Sequence, residues 1–227
     1  MNTRNKSDFL FRGQPEDKPL LPRLARPNLE TKGDLLEIEE LMLKEFRRTH
    51  PPFAEYETKS DWDLLATAQH HGLPTRLLDW TYSALAAMWF AIGNCRGIDR
   101  CSRNEAIVWI LKSWKRDFLN FPTGLRPLEC LRTQIFRPRI IARRIVAQSG
   151  VFTLHKMLRK GDCVPLEKDP HFMRNLVKII VPRARFASIC EQLHICGVNH
   201  STMFPDLDGL CQHLEWRYTK ESPKSHE

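Results

Sequence analysis

Hydrophobic and polar residues follow the spacing of α-helices in much of the first ninety positions. Over Asp34–Arg48 the apolar residues recur every three or four positions, which predicts an amphipathic helix that ends before Pro51–Pro52. A second helix is predicted over Ser60–Gln69, because the segment opens with capping-box spacing and a glycine follows its end. The segment Tyr82–Ile92 is apolar on nearly every side, which predicts a buried helix.

A different pattern begins near residue 105. Ala106–Leu111 is a continuous run of β-branched, aromatic and other apolar residues, which is typical of a buried strand. Shorter runs at Ile140–Val146 and Val151–Leu154 predict two strands around a turn at Gln148–Gly150. Another strand is predicted over Val177–Val181, where a proline stops it.

The last part of the chain returns to helical spacing. Two helices are predicted, over Arg183–Cys196 and Pro205–Tyr218. Helices that cluster early and strands that cluster late predict an α+β fold. We expect a single domain in which N-terminal helices pack on a small mixed or antiparallel sheet, formed mainly by the C-terminal half. This domain should span residues 1–218, with a polar tail at 219–227.

The composition is that of a globular protein. Of 227 residues, 42% are hydrophobic and 27% are charged. No apolar run reaches the ~18 residues of a membrane-spanning helix. The first residues lack the apolar core of a signal peptide, so we expect a cytoplasmic protein that does not enter the membrane. The seven cysteines form no CxxC pair, so we predict neither a zinc site nor a disulfide framework.

The net charge of +8 belongs to one half of the chain. Residues 1–113 carry 16 basic and 16 acidic side chains, whereas residues 114–227 carry 19 and 11. Within residues 132–185 there are 13 basic side chains and three acidic ones. This excess favours an anionic partner, such as a polynucleotide, an acidic protein or a phosphate-bearing small molecule. A solvated basic surface without a partner would carry the same charge.

The triplet Phe11-Arg12-Gly13 precedes a segment with four prolines. The guanidinium of Arg12 offers five N–H donors, and Gly13 would allow a ligand to approach the backbone closely. This combination is typical of phosphate or carboxylate binding. An arginine that only pairs with an acidic neighbour would give the same triplet.

The densest polar motif ends the second predicted helix and begins the third. It contains a candidate anion-binding Arg76, the hydroxyl groups of Thr81 and Ser83, and two candidates for acid–base chemistry, His70 and Asp79. A helix N-terminus with a nearby arginine is a common anion site.

This motif also has structural interpretations. A buried ion pair between Arg76 and Asp79 would explain both residues without a ligand. The tandem histidines His70 and His71 do not indicate a metal site, because adjacent helical side chains point in different directions.

A third polar site is predicted at the turn before Val151. Gln148 stands at a strand end beside Gly150, where its amide could bind a ribose or a base. The same amide could instead satisfy the backbone groups of the turn. The sequence has no G-x-S-x-G elbow, no P-loop and no GxGxxG, which argues against a serine hydrolase, a P-loop NTPase and a Rossmann enzyme.

Taken together, these blocks resemble the FRG-domain family, which is named for its aromatic-Arg-Gly motif. The resemblance covers nearly the whole chain. Phe11–Gly13 is similar to the naming motif, and Gln69–Thr81 is similar to the most specific block. The later similar blocks are Arg144 with Gln148–Phe152, Lys178–Pro182 and Phe204–Gly209.

A more distant resemblance is to ADP-ribosyltransferases of the Arg–Ser–Glu kind. In those enzymes an arginine in an aromatic-Arg-Gly strand holds NAD, a hydroxyl follows, and a glutamate polarises the nicotinamide ribose. The resemblance implies the first role for Arg12 and the second for Thr81 or Ser83. Gln148 stands where the glutamate is expected, which departs from the pattern of that family.

The enzyme hypothesis is that the domain binds NAD or a related nucleotide and transfers or hydrolyses ADP-ribose. Arg12 and Arg76 would hold the diphosphate, and Thr81 and Ser83 would support a ribose, with His70, Asp79 and Gln148 as catalytic candidates. The alternative is a non-enzymatic module that binds nucleic acid or protein through residues 132–185. A toxin- or defence-like domain that recognises a protein partner is a third hypothesis.

Overall fold

A computed structural model describes residues 7–27, 29, 33–54, 57–93, 103–120, 126–139, 148–156 and 163–219. Within these ranges the chain forms six α-helices and one six-stranded sheet. The helices are α1 (Leu35–Thr49), α2 (Asp61–His70), α3 (Ala84–Ile92), α4 (Phe186–Ile195), α5 (His200–Met203) and α6 (Leu207–Thr219). The strands are β1 (Ser7–Gln14), β2 (Leu77–Thr81), β3 (Glu105–Trp114), β4 (Gln134–Phe136), β5 (Gly150–Leu154) and β6 (Leu176–Pro182).

The helix starts follow from local side-chain chemistry. Asp34 caps α1 by accepting the N–H of Leu36 at 2.7 Å. Ser60 caps α2 in the same way, and Ser83 caps α3 by accepting the N–H of Ala86 at 3.2 Å. Each cap satisfies a backbone donor that a helix N-terminus leaves without an intrahelical partner.

The sheet is antiparallel throughout, with the strand order β4-β5-β2-β1-β3-β6. The two central strands come from the N-terminal half, and the four others lie after residue 104. β1 pairs with β3 along its full length but with β2 only at Phe11–Thr81. The sheet is therefore divided at its centre beyond that pair, and the divided edges carry Arg12 and Asp79.

Each face of the sheet is covered by a different part of the chain. On one face α3 and α4 pack over β1 and β3, while α1 and α2 pack over β2 and β5. On the other face, Leu20 from the proline-rich segment and Leu166 and Phe172 from the C-terminal half cover an apolar cluster. The α+β fold with N-terminal helices on the sheet is confirmed.

Most predicted elements occur within a few residues of their expected bounds. The unpredicted elements are β1, β4 and the short helix α5, each of which has too little internal periodicity to identify it. The last helix begins at Leu207, two residues after the predicted Pro205, and the first turn of the predicted helix at Arg183 is a 3₁₀ turn. The predicted strand Ile140–Val146 and the tail after residue 219 lie outside the described residues.

Gly13 has a different role from the one expected. A Cβ atom at this position would lie 1.8 Å from the carbonyl oxygen of Ala87 and 2.6 Å from the amide nitrogen of Ala91. The glycine therefore allows the backbone of α3 to lie directly on β1. Its close neighbour is a helix of the same chain rather than a ligand.

Among the described helices, none has both the length and the apolar character needed to cross a membrane.

Candidate functional site

Arg12 lies where β1 and β2 separate. Its Nη1 donates a hydrogen bond to the backbone carbonyl of Asp79 at 2.7 Å and lies 3.7 Å from the Asp79 carboxylate. That carbonyl can accept the arginine because β1 and β2 have already diverged. The Nε of Arg12 is buried and has no hydrogen-bond partner in the described part of the chain. The Nε–Nη2 edge, which can bind an oxyanion with two parallel hydrogen bonds, is therefore unused by the protein.

Asp79 is the exposed member of this pair. Its side chain is 59% exposed, compared with 13% for Arg12. The side-chain amide of Gln69 on α2 donates to both carboxylate oxygens at 3.1 and 3.2 Å, and its own oxygen accepts the hydroxyl of Thr75 at 2.7 Å. This chain of contacts fixes the orientation of a carboxylate that solvent can still reach.

Two further arginines from the proline-rich segment increase the positive charge around Asp79. Arg26 interacts electrostatically with both Asp79 and Arg12, and Arg23 interacts with Arg26 while donating to the carbonyl of Gly72 at 2.6 Å. Burial is the main cause that lowers the pKa of Arg12 to about 10 and also lowers the pKa of Arg26. The site therefore combines three guanidinium groups with one carboxylate.

His155 is a neighbour of Arg12 that the sequence analysis did not assign to the site. The residue is 3% exposed and directly follows β5. Burial, with a smaller contribution from the charge of Arg12, lowers the pKa of His155 to about 3, so the imidazole is neutral at physiological pH. Its Nε2 lies 3.0 Å from the hydroxyl of Thr153, which accepts the indole N–H of Trp80 at 3.1 Å.

Arg76 forms a buried ion pair, but its partner is not Asp79, which the sequence analysis gives as the alternative to a ligand. Its partner is Glu39 of α1, and both side chains are fully buried. The Nε of Arg76 donates to Glu39 at 2.6 Å and its backbone N–H donates to the second carboxylate oxygen at 2.8 Å. Burial raises the pKa of Glu39, and the charge of Arg76 opposes that effect. The guanidinium of Arg76 therefore faces the core rather than Asp79.

The sequence contains a signal that Glu39 is buried. The residue stands four positions after Leu35 and four before Leu43, both of which are buried. It is thus a charged residue on the apolar face of α1, where a buried partner is required. Arg26 and Gln69 have no comparable signal, because polar residues are common in loops and at helix ends.

Three other predicted site residues meet at the turn before β5. The hydroxyl of Thr81 donates to the carbonyl of Gln148 at 2.6 Å and accepts the N–H of Ser83 at 2.9 Å. The Gln148 amide donates to the carbonyl of Met203 at 3.1 Å. Ser83 caps α3 as described. These contacts hold the turn, where Ser149 has a φ of 47°, and none of them involves Arg12.

The structure gives less information on the other residues of the predicted motifs. His70 is the last residue of α2, and its ring lies edge-on to that of His71 with centroids 5.0 Å apart. Arg144 lies outside the described residues. In the described part of the chain, no group of three His, Cys, Asp or Glu side chains is arranged to hold a metal ion.

The basic region 132–185 is partly neutralised by its own surroundings. Arg137 pairs with Asp8 at 2.7 Å and Arg139 lies 3.5 Å from Asp63, while Lys178 pairs with Asp17. These contacts reduce the charge available to an external partner. The nucleic-acid and protein-binding alternative for this region stays a prediction.

Comparison with known proteins is informative for the segment that contains the arginine site. No curated protein and no solved structure matches the chain. The resemblance to ADP-ribosyltransferases is therefore not supported by a relative. Residues 7–99, which include the aromatic-Arg-Gly triplet and the motif around Asp79, match the family model of the FRG domain, and this match supports the FRG family.

Proposed function

We propose that the site around Arg12 and Asp79 binds a phosphorylated nucleotide of the NAD class, and that the protein transfers or hydrolyses the ADP-ribose group. The observation that carries the proposal is the excess of positive charge around one carboxylate. Arg12 is 13% exposed, and its Nε–Nη2 edge forms no hydrogen bond with the described residues. A diphosphate would neutralise this excess and fill that edge.

The positions of Arg12 and Arg26 favour a diphosphate over a single carboxylate as the ligand. Arg12 approaches the site from β1, and Arg26 approaches it from the proline-rich segment. Like charges held together in a partly buried site repel each other, so an anion that contacts both lowers the energy of the complex. Arg76, Thr81, Ser83 and Gln148 are left out of this binding site because their polar groups are engaged elsewhere.

Asp79 is the group best placed for the chemical step, with His70 as the second acid–base candidate. In hydrolysis of NAD, the bond between ribose C1′ and the pyridinium nitrogen breaks, and its electron pair leaves with nicotinamide. The oxygen of a water molecule forms the new bond to C1′ and its proton passes through the Asp79 carboxylate to solvent. A carboxylate beside C1′ would also stabilise the positive charge that develops there. In transfer, an acceptor nucleophile replaces the water.

The first experiment measures binding and turnover separately. Calorimetric titration with NAD and ADP-ribose is compared between the wild type, Arg12→Ala and Asp79→Ala, while chromatography follows the release of nicotinamide. Arg12→Ala is expected to weaken ADP-ribose binding at least ~10-fold, because a charge-assisted bidentate contact contributes about 1.5–3 kcal/mol. Asp79→Ala is expected to reduce turnover more than binding.

Arg48→Ala provides the matched control, since Arg48 is an exposed arginine that pairs with Glu45 on α1. This variant should bind and react like the wild type. The proposal is lost if Arg12→Ala and Asp79→Ala both bind and turn over the nucleotide as the wild type does. A protein that ignores nucleotides but binds RNA with a steep salt dependence would favour the alternative module.

A further inference from the structure

The two ring nitrogens of the buried residue His155 differ, because one has a hydrogen-bond partner and the other has none. Nε2 contacts the hydroxyl of Thr153 at 3.0 Å, and the backbone N–H donates to the carbonyl of Arg76 at 3.1 Å. Nδ1 forms no hydrogen bond with any residue that the structure describes. Among the described residues, Nδ1 is not one of the fully enclosed polar atoms that lack a partner. A ligand oxygen can therefore reach it.

The contacts of Thr153 determine which ring nitrogen of His155 carries the proton. Thr153 is fully buried, and its hydroxyl oxygen accepts the indole N–H of Trp80, which can only donate. In the described part of the chain, the only acceptor available to the hydroxyl proton of Thr153 is Nε2 of His155. The imidazole, which is neutral, must then carry its own proton on Nδ1. The chain from Trp80 through Thr153 therefore makes Nδ1 a hydrogen-bond donor.

Arg12 is the charged group that acts on His155. The antiparallel pairing of β1 and β2 sets Arg12 next to Trp80, and Trp80 is linked through Thr153 to His155. The charge of Arg12 also acts on the imidazole. Arg12 Nε and His155 Nδ1 are both donors without a partner among the described residues. Two neighbouring donors without an acceptor among the described residues can bind one oxyanion together.

We propose that His155 is a contact residue of the anion site, which donates a hydrogen bond through Nδ1 to an oxygen of the ligand bound by Arg12. Trp80 and Thr153 are positioning residues that fix its tautomer. This inference rests on the proposed function, since it assumes an anion at Arg12. A neutral donor contributes a directional contact without adding to the repulsion among the arginines.

The direct test is nuclear magnetic resonance of the histidine ring nitrogens in the full chain. Without ligand, His155 should show the Nδ1-protonated tautomer between pH 6 and 8. Addition of inorganic pyrophosphate or ADP-ribose should shift Nδ1 and its proton, while Nε2 changes little. An Nε2-protonated tautomer, or an Nδ1 signal that does not respond to a ligand that binds, would overturn the inference.

Two substitutions separate the contact from a structural role. The amide nitrogen of His155→Asn can replace Nδ1 as a donor, whereas that of His155→Gln extends to the position of Nε2 and loses the Nδ1 donor. We expect His155→Asn to retain ADP-ribose affinity within about 3-fold and His155→Gln to lose about 10-fold, as for one hydrogen bond to a charged group. Equal affinities for the two variants would contradict the contact.

The same titrations distinguish failure of the inference from failure of the proposed function. If Arg12→Ala abolishes binding and His155→Gln does not weaken it, the anion site stands and the role of His155 is refuted. If the wild type binds neither pyrophosphate nor ADP-ribose, both fail. Thr153→Val provides an independent measurement, because it should allow the Nε2-protonated tautomer to appear in the ligand-free protein.

Discussion

Two arginine–carboxylate pairs lie within a few residues of each other at the start of β2, and they differ in almost every physical respect. Arg76 and Glu39 are fully buried, their charges oppose each other, and Glu39 accepts both the Nε and the backbone N–H of Arg76. Arg12 and Asp79 are 13% and 59% exposed, with two more arginines nearby. The first pair is balanced in charge and closed to solvent, whereas the second has an excess of positive charge and is open to solvent.

This difference gives two residues of one motif different surroundings: Arg76 is closed to a ligand, whereas Asp79 is open to one. The buried pair holds α1 against the sheet, and its side chains are closed to a ligand because neither is exposed. An unmatched pair at the divided centre of the sheet has a structural cost that a bound anion would offset. Arg76 and Asp79 stand three positions apart in the sequence, yet they belong to different pairs.

The free energy of unfolding should change most when the buried pair of Arg76 and Glu39 is broken. Glu39→Ala should lower the free energy of unfolding by about 3–5 kcal/mol, because it leaves the guanidinium of Arg76 buried without a counter-charge. Chemical denaturation monitored by tryptophan fluorescence measures this change. Glu40→Ala is the control, since that neighbour is 62% exposed and should change stability by less than about 1 kcal/mol. Similar values for the two variants would refute the comparison.

Low pH should reduce the stability of the protein through His155, which lies beside Arg12. Its pKa is about 3 in the folded protein and about 6.5 when unfolded, so the unfolded state binds one more proton between these values. Stability should therefore fall as pH decreases below about 6.5, by about 2 kcal/mol at pH 5. Denaturation at pH 7 and pH 5 measures this loss, which should be smaller by that amount in His155→Gln. An unchanged pH dependence in that variant would contradict the burial of a neutral imidazole beside Arg12.

Replacing both members of a pair tests that pair without leaving an isolated charge. Arg76→Met combined with Glu39→Leu removes a buried pair without leaving an isolated charge, so its unfolding free energy should lie within about 1–2 kcal/mol of the wild type. This double variant should still bind ADP-ribose. The corresponding Arg12→Met with Asp79→Leu should also fold but lose binding. Loss of binding in both double variants would show that the buried pair is also required for the site.

The free energy of unfolding should change least when one of the arginines beside Asp79 is neutralised. Arg26→Gln removes one of the guanidinium groups that repel each other beside Asp79, so we expect a gain of a few tenths to about 1 kcal/mol in unfolding free energy. Its affinity for pyrophosphate should fall at the same time. Parallel denaturation and titration, repeated at high salt where both effects should shrink, measure these opposite changes. A loss of stability would indicate that Arg26 is a structural residue.

The sequence could predict the elements whose information is local. The caps at Ser60 and Ser83, the apolar helix after Ser83 and the β-branched run of β3 all depend on neighbouring residues. Arg12 could be identified as a candidate from its aromatic-Arg-Gly triplet, and Asp79 from a motif that is dense in polar groups. The tertiary contacts of Arg12 and Asp79 could not be predicted from neighbouring residues in this way.

The contacts that the sequence does not predict join residues far apart in the chain. Glu39 contacts Arg76 across 37 positions, and Arg12 meets Asp79 across 67. The single pairing position of β1 and β2 leaves the Asp79 carbonyl available to Arg12, and no local pattern encodes that divergence. His155 was overlooked for the same reason, because its importance depends on Arg12, Thr153 and Trp80, and only Thr153 is its neighbour in sequence.

The strand order also has a consequence for how the protein can be divided. The segment that matches the FRG family ends at residue 99, but β1 has its long pairing with β3 at 105–114, and β2 pairs along its length with β5 at 150–154. A fragment that ended with the match would hold two strands joined at one position, with their main hydrogen-bonding edges unoccupied and prone to aggregation. The smallest autonomous folding unit must therefore extend at least through β5, well beyond the recognisable family segment.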